Sequence, residues 1–245
     1  MKKLKIDRGL IAPVLNLASE VGAGVVFWKN LIKSENKKLF SDFVRQIEDV
    51  KKNHVVSIEE ATKIMKENII LPKDVEKFFG ENYILGYPPI PYDRDVLNKY
   101  KDTHILVAGC EVSIPKILGF IPDQYLFRDE KFLRQVLKKD WYLIKKEPAV
   151  RAFGREFSAQ VATLRGGEGA LSAVQAVYAI SLWHKKTGDW LFKGLRLNTC
   201  TLAGDGSRVS VGVAKNEKDQ KWSIKIFSLW KDYKNPSIGI VSGIK

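Results

Sequence analysis

The chain has 245 residues and a formal net charge of +13, with 41 Lys and Arg against 28 Asp and Glu. This length suits one large domain or a core domain with an N-terminal extension, and a hydrophobic share of 45% allows a buried core. No run of 18 apolar residues occurs, which excludes a predicted membrane span. The start is basic and has no uninterrupted apolar stretch. We therefore predict a cytoplasmic protein without a secretory signal, while export by another route stays open.

Apolar periodicity predicts helices over most of the first 80 residues. Apolar side chains recur at three- and four-residue steps over 9–33 and 35–52. A capping-box pattern opens a short helix over 57–68, and proline suits the first turn of another at 72–79. We assign residues 1–82 to a helical N-terminal region whose expected role is packing or oligomerisation.

The segment 86–92, GYPPIPY, is predicted to be a stiff extended linker. Proline fixes φ and disfavours a helix at the residue before it. We interpret the segment as a hinge between two parts of the chain. A polyproline ligand for a partner is the alternative.

Beyond the linker the pattern alternates between helical and extended periods. The predicted elements are a strand at 104–110, a helix at 114–118, a helix at 130–138, a strand at 141–146, a helix at 150–164 and a helix at 170–187. Between the last two helices, 166–169 (GGEG) is predicted to be a flexible turn. It resembles a phosphate-binding loop only superficially, because no Lys-Ser/Thr pair follows its last glycine.

Four strands are predicted at the C-terminal end, at 195–200, 209–213, 222–227 and 238–244. Val209 begins an alternation that puts valines on one face of its strand and Arg208 and Ser210 on the other. A similar alternation recurs over 222–227. Helices followed by a run of short strands are typical of an α+β protein.

Motifs from residue 84 onwards resemble those of a family of uncharacterised bacterial proteins. The resemblance covers about two thirds of the chain, in the same order. The motifs that carry it are 86–92 (GYPPIPY), 103–109 (THILVAG), 141–148 (WYLIKKEP), 187–192 (TGDWLF), 205–209 (DGSRV) and 237–239 (SIG).

The tail of that family is in turn similar to the variable region of diversity-generating retroelement target proteins. This similarity implies a C-type-lectin-like α+β domain over 83–245 with a mainly antiparallel sheet. It also implies a rigid frame that displays variable side chains to diverse partners. In this chain Lys, Ser and Val replace many of the Asn, Asp, Tyr and Trp residues usual in such tails.

We therefore expect a non-catalytic binding protein whose C-terminal sheet contacts a protein or other macromolecular ligand. An aromatic side chain beside polar groups is the usual composition of such a surface. The candidate ligand-binding residues are Arg208, Ser210, Lys215, Ser223, Lys225, Phe227, Trp230, Lys231, Tyr233 and Asn235. A basic nucleic-acid-associated protein is the alternative, although the lysines are spread along the whole chain.

Catalysis, cofactors and metals are not expected. Cys110 and Cys200 are far apart in apolar surroundings, so we predict two buried thiols. The three histidines are scattered, without metal-ligand spacing. Calcium needs six to eight oxygen ligands. Asp205 and Asp232 are too few for such a site and are isolated among basic residues.

Overall fold

The computed structural model describes residues 56–80, 87–121, 131–217, 219–229 and 235–244. The chain divides into two compact units, residues 1–55 and 56–245. The helices predicted at 9–33 and 35–52 lie outside the described residues. The division falls after residue 55 and not after residue 82, because Ile69 and Ile70 form a strand that pairs with residues 106–107 of the second unit.

The second unit is an α+β structure. Its described helices are α1 (Ile58–Met65), α2 (Pro72–Phe79), α3 (Arg94–Tyr100), α4 (Ile114–Leu118), α5 (Phe157–Val161) and α6 (Ala173–Thr187). Its described strands are β1 (Ile69–Ile70), β2 (His104–Ala108), β3 (Trp141–Lys145), β4 (Glu168–Ala170), β5 (Arg196–Leu202), β6 (Arg208–Lys215), β7 (Trp222–Leu229), β8 (Ile238–Ile240) and β9 (Ser242–Ile244). None of the described helices is long and apolar enough to cross a membrane.

The strands form two mixed sheets. The first has the order β1-β2-β3-β9-β4, and the second has the order β7-β6-β5-β8. β1 pairs in parallel with β2 and β5 pairs in parallel with β8, whereas the other named pairs are antiparallel. Antiparallel pairing therefore predominates in both sheets.

The longest described helix, α6, is fixed at both ends by its sequence. Ser172 and Gln175 form a capping box, with the serine hydroxyl accepting from the Gln175 amide at 3.3 Å. Gly188 ends the helix at φ +80°, a left-handed conformation that favours glycine. Within the helix, the Tyr178 hydroxyl donates to the Ala108 carbonyl at 2.7 Å, which joins the helix to β2.

Residues 87–92, the described part of the segment predicted as a hinge, belong instead to the core. Ile90 and Tyr92 are buried, and the Trp141 indole donates to the Pro88 carbonyl at 2.9 Å. The Tyr92 hydroxyl accepts from the Leu143 amide at 3.2 Å. Burial raises the pKa of Tyr92 to about 12. These contacts fasten the extended segment to β3, and the prediction of a hinge was wrong.

Two predicted helices are shorter in the structure. Residues 150–164 form a single turn of 3₁₀ helix and then α5, because Gly154 adopts φ +72° and interrupts the helix. Residues 131–134 form one 3₁₀ turn, after which the Leu137 amide donates to the Val112 carbonyl at 2.8 Å. In the second case, pairing with a distant strand-like segment replaces the helix.

The strand predicted at 238–244 is divided between the two sheets. β8 pairs with β5, whereas β9 pairs with β3 and β4. Val241 lies between them, and its amide donates to the Asn198 carbonyl while its carbonyl accepts from the Leu171 amide. Three further elements, α3, β1 and β4, were not predicted.

Candidate functional site

One face of the four-stranded sheet is sealed against the core. Val209, Val211 and Val213 on β6 are at most 1% exposed, and Ile224 and Ile226 on β7 are also buried. These residues alternate with residues of the opposite face, as the sequence predicted. Any ligand-contacting surface of this sheet therefore belongs to the other face.

Part of that other face is covered by the segment containing α5. Gln160 is completely buried, and its side-chain amide donates to the Ile238 carbonyl at 3.0 Å. The Asn198 amide donates to Gln160 Oε1 at 2.9 Å, and the Ser210 hydroxyl donates to Asn198 Oδ1 at 2.6 Å. Because Ser210 is 0% exposed, it belongs to this buried network and is removed from the predicted contact surface.

Arg208 stabilises the same covering segment. Its guanidinium carbon lies 3.8 Å from the Phe157 ring centroid, and Nη1 donates to the Cys200 carbonyl at 3.0 Å. Its Nε is buried without a partner among the described residues. Burial lowers the pKa of Arg208, although a guanidinium remains charged near neutrality. Arg208 is partly buried and therefore has a structural role that the sequence did not indicate.

On the β5 and β7 part of this face, Arg196, Lys225 and Phe227 are partly exposed, and we call these three residues the outer strip. The register aligns Arg196 with Gly212 and Gly212 with Lys225, and Phe227 lies two residues after Lys225 on β7. The three side chains of the outer strip therefore share a face. The Arg196 guanidinium carbon lies 3.6 Å from the Phe227 ring centroid. This contact is a cation–π stack, and Lys225 adds a second cation to the same face.

Gly212 permits the close approach of the strands beneath the outer strip. A Cβ atom at this position would collide with the Leu195 carbonyl oxygen and would lie 3.2 Å from the Arg196 Cα. Glycine is thus required here by the approach of β5 to β6, and not by its φ angle.

The remaining predicted contact residues are dispersed. Ser223 is 3% exposed and its hydroxyl is buried without a partner among the described residues, so it is not on the surface. Lys215 is exposed but shares the face of the valines, with Nζ 5.7 Å from the Trp222 ring centroid. Asn235 is partly buried, and its Oδ1 accepts from the Ser237 amide at 2.9 Å. The other three, which lie outside the described residues, are Trp230, Lys231 and Tyr233.

Sequence reasoning missed Arg196 and Gln160. Arg196 stands two residues before Asn198 on a predicted strand, and this spacing could have placed both on one face. The pairing of that face with Phe227 depends on the strand register, which no local pattern in the sequence specifies. The buried role of Gln160 could not be predicted, because the sequence analysis treated its whole segment, 150–164, as one helix.

The two cysteines differ in environment. Cys110 is buried, and burial raises the pKa of its thiol to about 11. Cys200 is exposed, so the prediction of two buried thiols was wrong for it. Both are free thiols. Cys200 lies in the irregular part of β5, where the register with β6 shifts between Asn198 and Leu202 and turns its side chain outward.

The described residues contain no group of three or more His, Cys, Asp or Glu side chains that could hold a metal ion. Comparisons of the chain with protein-family models, with curated proteins and with solved structures give no match.

Proposed function

We propose that the protein is a non-catalytic binding protein that contacts a macromolecular ligand through the outer strip of its four-stranded sheet. The observation that carries the proposal is the stack of Arg196 on Phe227, 3.6 Å from guanidinium carbon to ring centroid, beside Lys225. Arginine and aromatic residues contribute a large share of the binding energy at protein interfaces.

The frame under the outer strip supports this proposal. The opposite face of β6 and β7 is packed in the core, so the outer side chains can change without opening the fold. A guanidinium held against a ring loses less conformational freedom on binding than a free arginine side chain would.

The charge of the outer strip favours an acidic ligand surface. Arg196 stacks on Phe227, and Lys225 lies two residues before Phe227 on the same face of β7. Neither Arg196 nor Lys225 forms an ion pair with another described residue. Complementary charge speeds association and excludes wrong partners more than it raises affinity. We expect the partner to present carboxylates or phosphates around an apolar contact for Phe227.

The C-type-lectin-like fold and the relationship to diversity-generating retroelement target proteins form a second, separate part of this proposal. The alternating C-terminal strands and the motifs of the resembling family support it. The test is the genomic neighbourhood of the coding sequence. A reverse transcriptase gene with a near-copy of the C-terminal coding segment is expected, and its absence would remove the diversification claim without affecting the outer strip.

Affinity purification with matched baits tests the outer strip. The variant Lys225→Ser/Phe227→Ser removes one cation and the aromatic ring. The control Lys116→Ser/Phe120→Ser likewise removes one lysine and one phenylalanine, and Phe120 is 41% exposed. Lysate of the source cells is passed over wild type, variant and control, each verified as folded by circular dichroism.

The expected result is one partner recovered by wild type and control and depleted at least about tenfold by the outer-strip variant. The same partner should then bind purified wild-type protein with an affinity that falls as salt rises. Equal recovery of that partner by the outer-strip variant would contradict the proposal.

A further inference from the structure

A second surface of the molecule, far from the outer strip in sequence, concentrates positive charge in a cleft. The cleft has a volume of about 360 Å³ and lies among the end of α3, the turn 149–151 and the turn that follows α5. Its charged lining residues are Lys99, Lys145, Arg151, Arg165 and Glu168. Four basic side chains against one carboxylate give a formal excess of three positive charges.

The single carboxylate does not neutralise the whole cleft. Lys145 Nζ lies 2.8 Å from Glu168 Oε1, and the Ser242 hydroxyl donates to Oε2 at 3.3 Å. Glu168 is thus occupied by one cation and one hydroxyl. Lys99, Arg151 and Arg165 are exposed, and none of them forms an ion pair with a described residue.

One wall of the cleft is held in place by a close backbone contact. The Tyr100 hydroxyl donates to the Gly166 carbonyl at 3.3 Å, which ties the end of α3 to the turn before β4. A Cβ atom at Gly166 would lie 2.9 Å from that hydroxyl oxygen, and the glycine adopts φ +60°. The positive φ favours glycine at this position, and the close approach of the Tyr100 hydroxyl adds to that preference. This contact keeps Lys99, on α3, and Arg165, in the turn before β4, close to the same cleft.

We propose that this cleft binds a phosphate group carrying more than one negative charge. Three cations without an ion-pair partner among the described residues are too many for a single carboxylate, whereas a phosphate group or a short chain of phosphates can contact all of them. Two of the three are arginines, whose planar guanidinium matches phosphate oxygens in a bidentate arrangement. The proposal goes beyond the outer strip and does not depend on it.

The phosphate can belong to a free polyphosphate or to a nucleic-acid backbone, and two probes distinguish these sources. Inorganic tripolyphosphate is titrated into the full-length protein by calorimetry at constant ionic strength. A fluorescein-labelled oligothymidylate is followed by anisotropy over a series of salt concentrations. Both probes are applied to wild type and to the variants below.

The double variant Arg151→Gln/Arg165→Gln removes two of these three cations. Loss of two charge-assisted contacts should lower the affinity for the bound probe by at least about tenfold. The control Lys73→Gln/Lys185→Gln removes two exposed cations from helices that do not line the cleft, and should change affinity less than about twofold.

A second pair of variants avoids any loss of native contacts. Val150 lines the cleft and is 85% exposed. Val150→Glu adds a negative charge among the cations, and Val150→Gln adds a side chain of nearly the same size without the charge. The glutamate variant should bind the probe about five- to tenfold more weakly than the glutamine variant.

Each outcome decides the proposal. Tripolyphosphate binding that the cleft variants weaken supports a site for free phosphate compounds. Oligothymidylate binding that the same variants weaken, without tripolyphosphate binding, supports a site for the phosphates of a nucleic acid. If neither probe binds, or if cleft variants and controls bind alike, the cleft is not a phosphate site.

Discussion

The two sheets of the molecule bury their side chains differently. All five residues of β2, in the five-stranded sheet, are buried, which agrees with their continuous apolar run. In the four-stranded sheet, β7 alternates between buried residues such as Ile224 and partly exposed ones such as Lys225. A strand that is apolar on both faces has no side chain available for a ligand, whereas an alternating strand commits only half of its residues to the core.

The difference extends to polar contacts. The hydroxyl groups of Tyr92 and Tyr178 bind backbone atoms in and around the five-stranded sheet and fasten neighbouring segments to it. On the four-stranded sheet, Gln160 and Asn198 fasten α5 over part of one face and leave the outer strip partly exposed. Around β2 the first sheet is therefore enclosed, and the second has a boundary between covered and exposed surface.

The largest effect should come from truncating a tryptophan in the enclosed sheet. Trp141 is 2% exposed and its indole donates to the Pro88 carbonyl. Trp141→Ala should lower the free energy of unfolding by about 3–5 kcal/mol, measured by urea denaturation. Trp222→Ala in the four-stranded sheet should cost clearly less, because Trp222 is only partly buried. Equal losses would show that the two sheets do not differ in enclosure.

A pH titration tests the enclosure of β2 at its first residue. Burial lowers the pKa of His104 to about 4, below its ordinary value of 6.5. Between these values the unfolded chain binds the proton more readily than the folded chain does. Stability should therefore fall as the pH decreases from about 6.5 to about 4, by on the order of 3 kcal/mol. The measurement is the urea midpoint across this range.

A histidine variant separates this contribution from general acid denaturation. His104→Gln should abolish most of the pH slope between about 4 and 6.5, because the titrating group is gone. A slope that His104→Gln leaves unchanged would mean that other groups cause it.

A smaller effect is expected where α5 covers the four-stranded sheet. Gln160→Leu leaves the Asn198 amide and the Ile238 carbonyl without their partner, which should cost about 1–3 kcal/mol of unfolding free energy. Ser158→Ala, at an exposed position of the same helix, should stay within about 0.5 kcal/mol. If Gln160→Leu lowers the free energy of unfolding as little as Ser158→Ala does, the hydrogen-bond network does not hold α5 against the four-stranded sheet.

The smallest effect is expected in the outer strip. Lys225→Ser should change the free energy of unfolding by no more than about 0.5 kcal/mol, because the side chain is partly exposed and contributes little to the core. Thermal melting of this variant beside Gln160→Leu compares the exposed part of the face with the covered part. A loss above about 1 kcal/mol would indicate that Lys225 is structural.

Local patterns predicted most of the elements that the structure contains. The apolar periodicity of α6 and the apolar run of β2 were sufficient to predict both elements. The alternation in β6 correctly separated the core valines from Arg208 and Ser210. The same pattern did not reveal that Ser210 is covered, since burial on the second face depends on α5, which is distant along the chain.

Periodicity and capping are short-range, so the sequence by itself determined where helices and strands form and which face of the C-terminal strands enters the core. Tertiary structure alone decided that 238–240 and 242–244 enter different sheets, that Arg196 meets Phe227, and that cations distant in sequence line one cleft. The physical reason is that strand register and the cover of a sheet face are selected by contacts between segments far apart in the chain, whose partners no local pattern names.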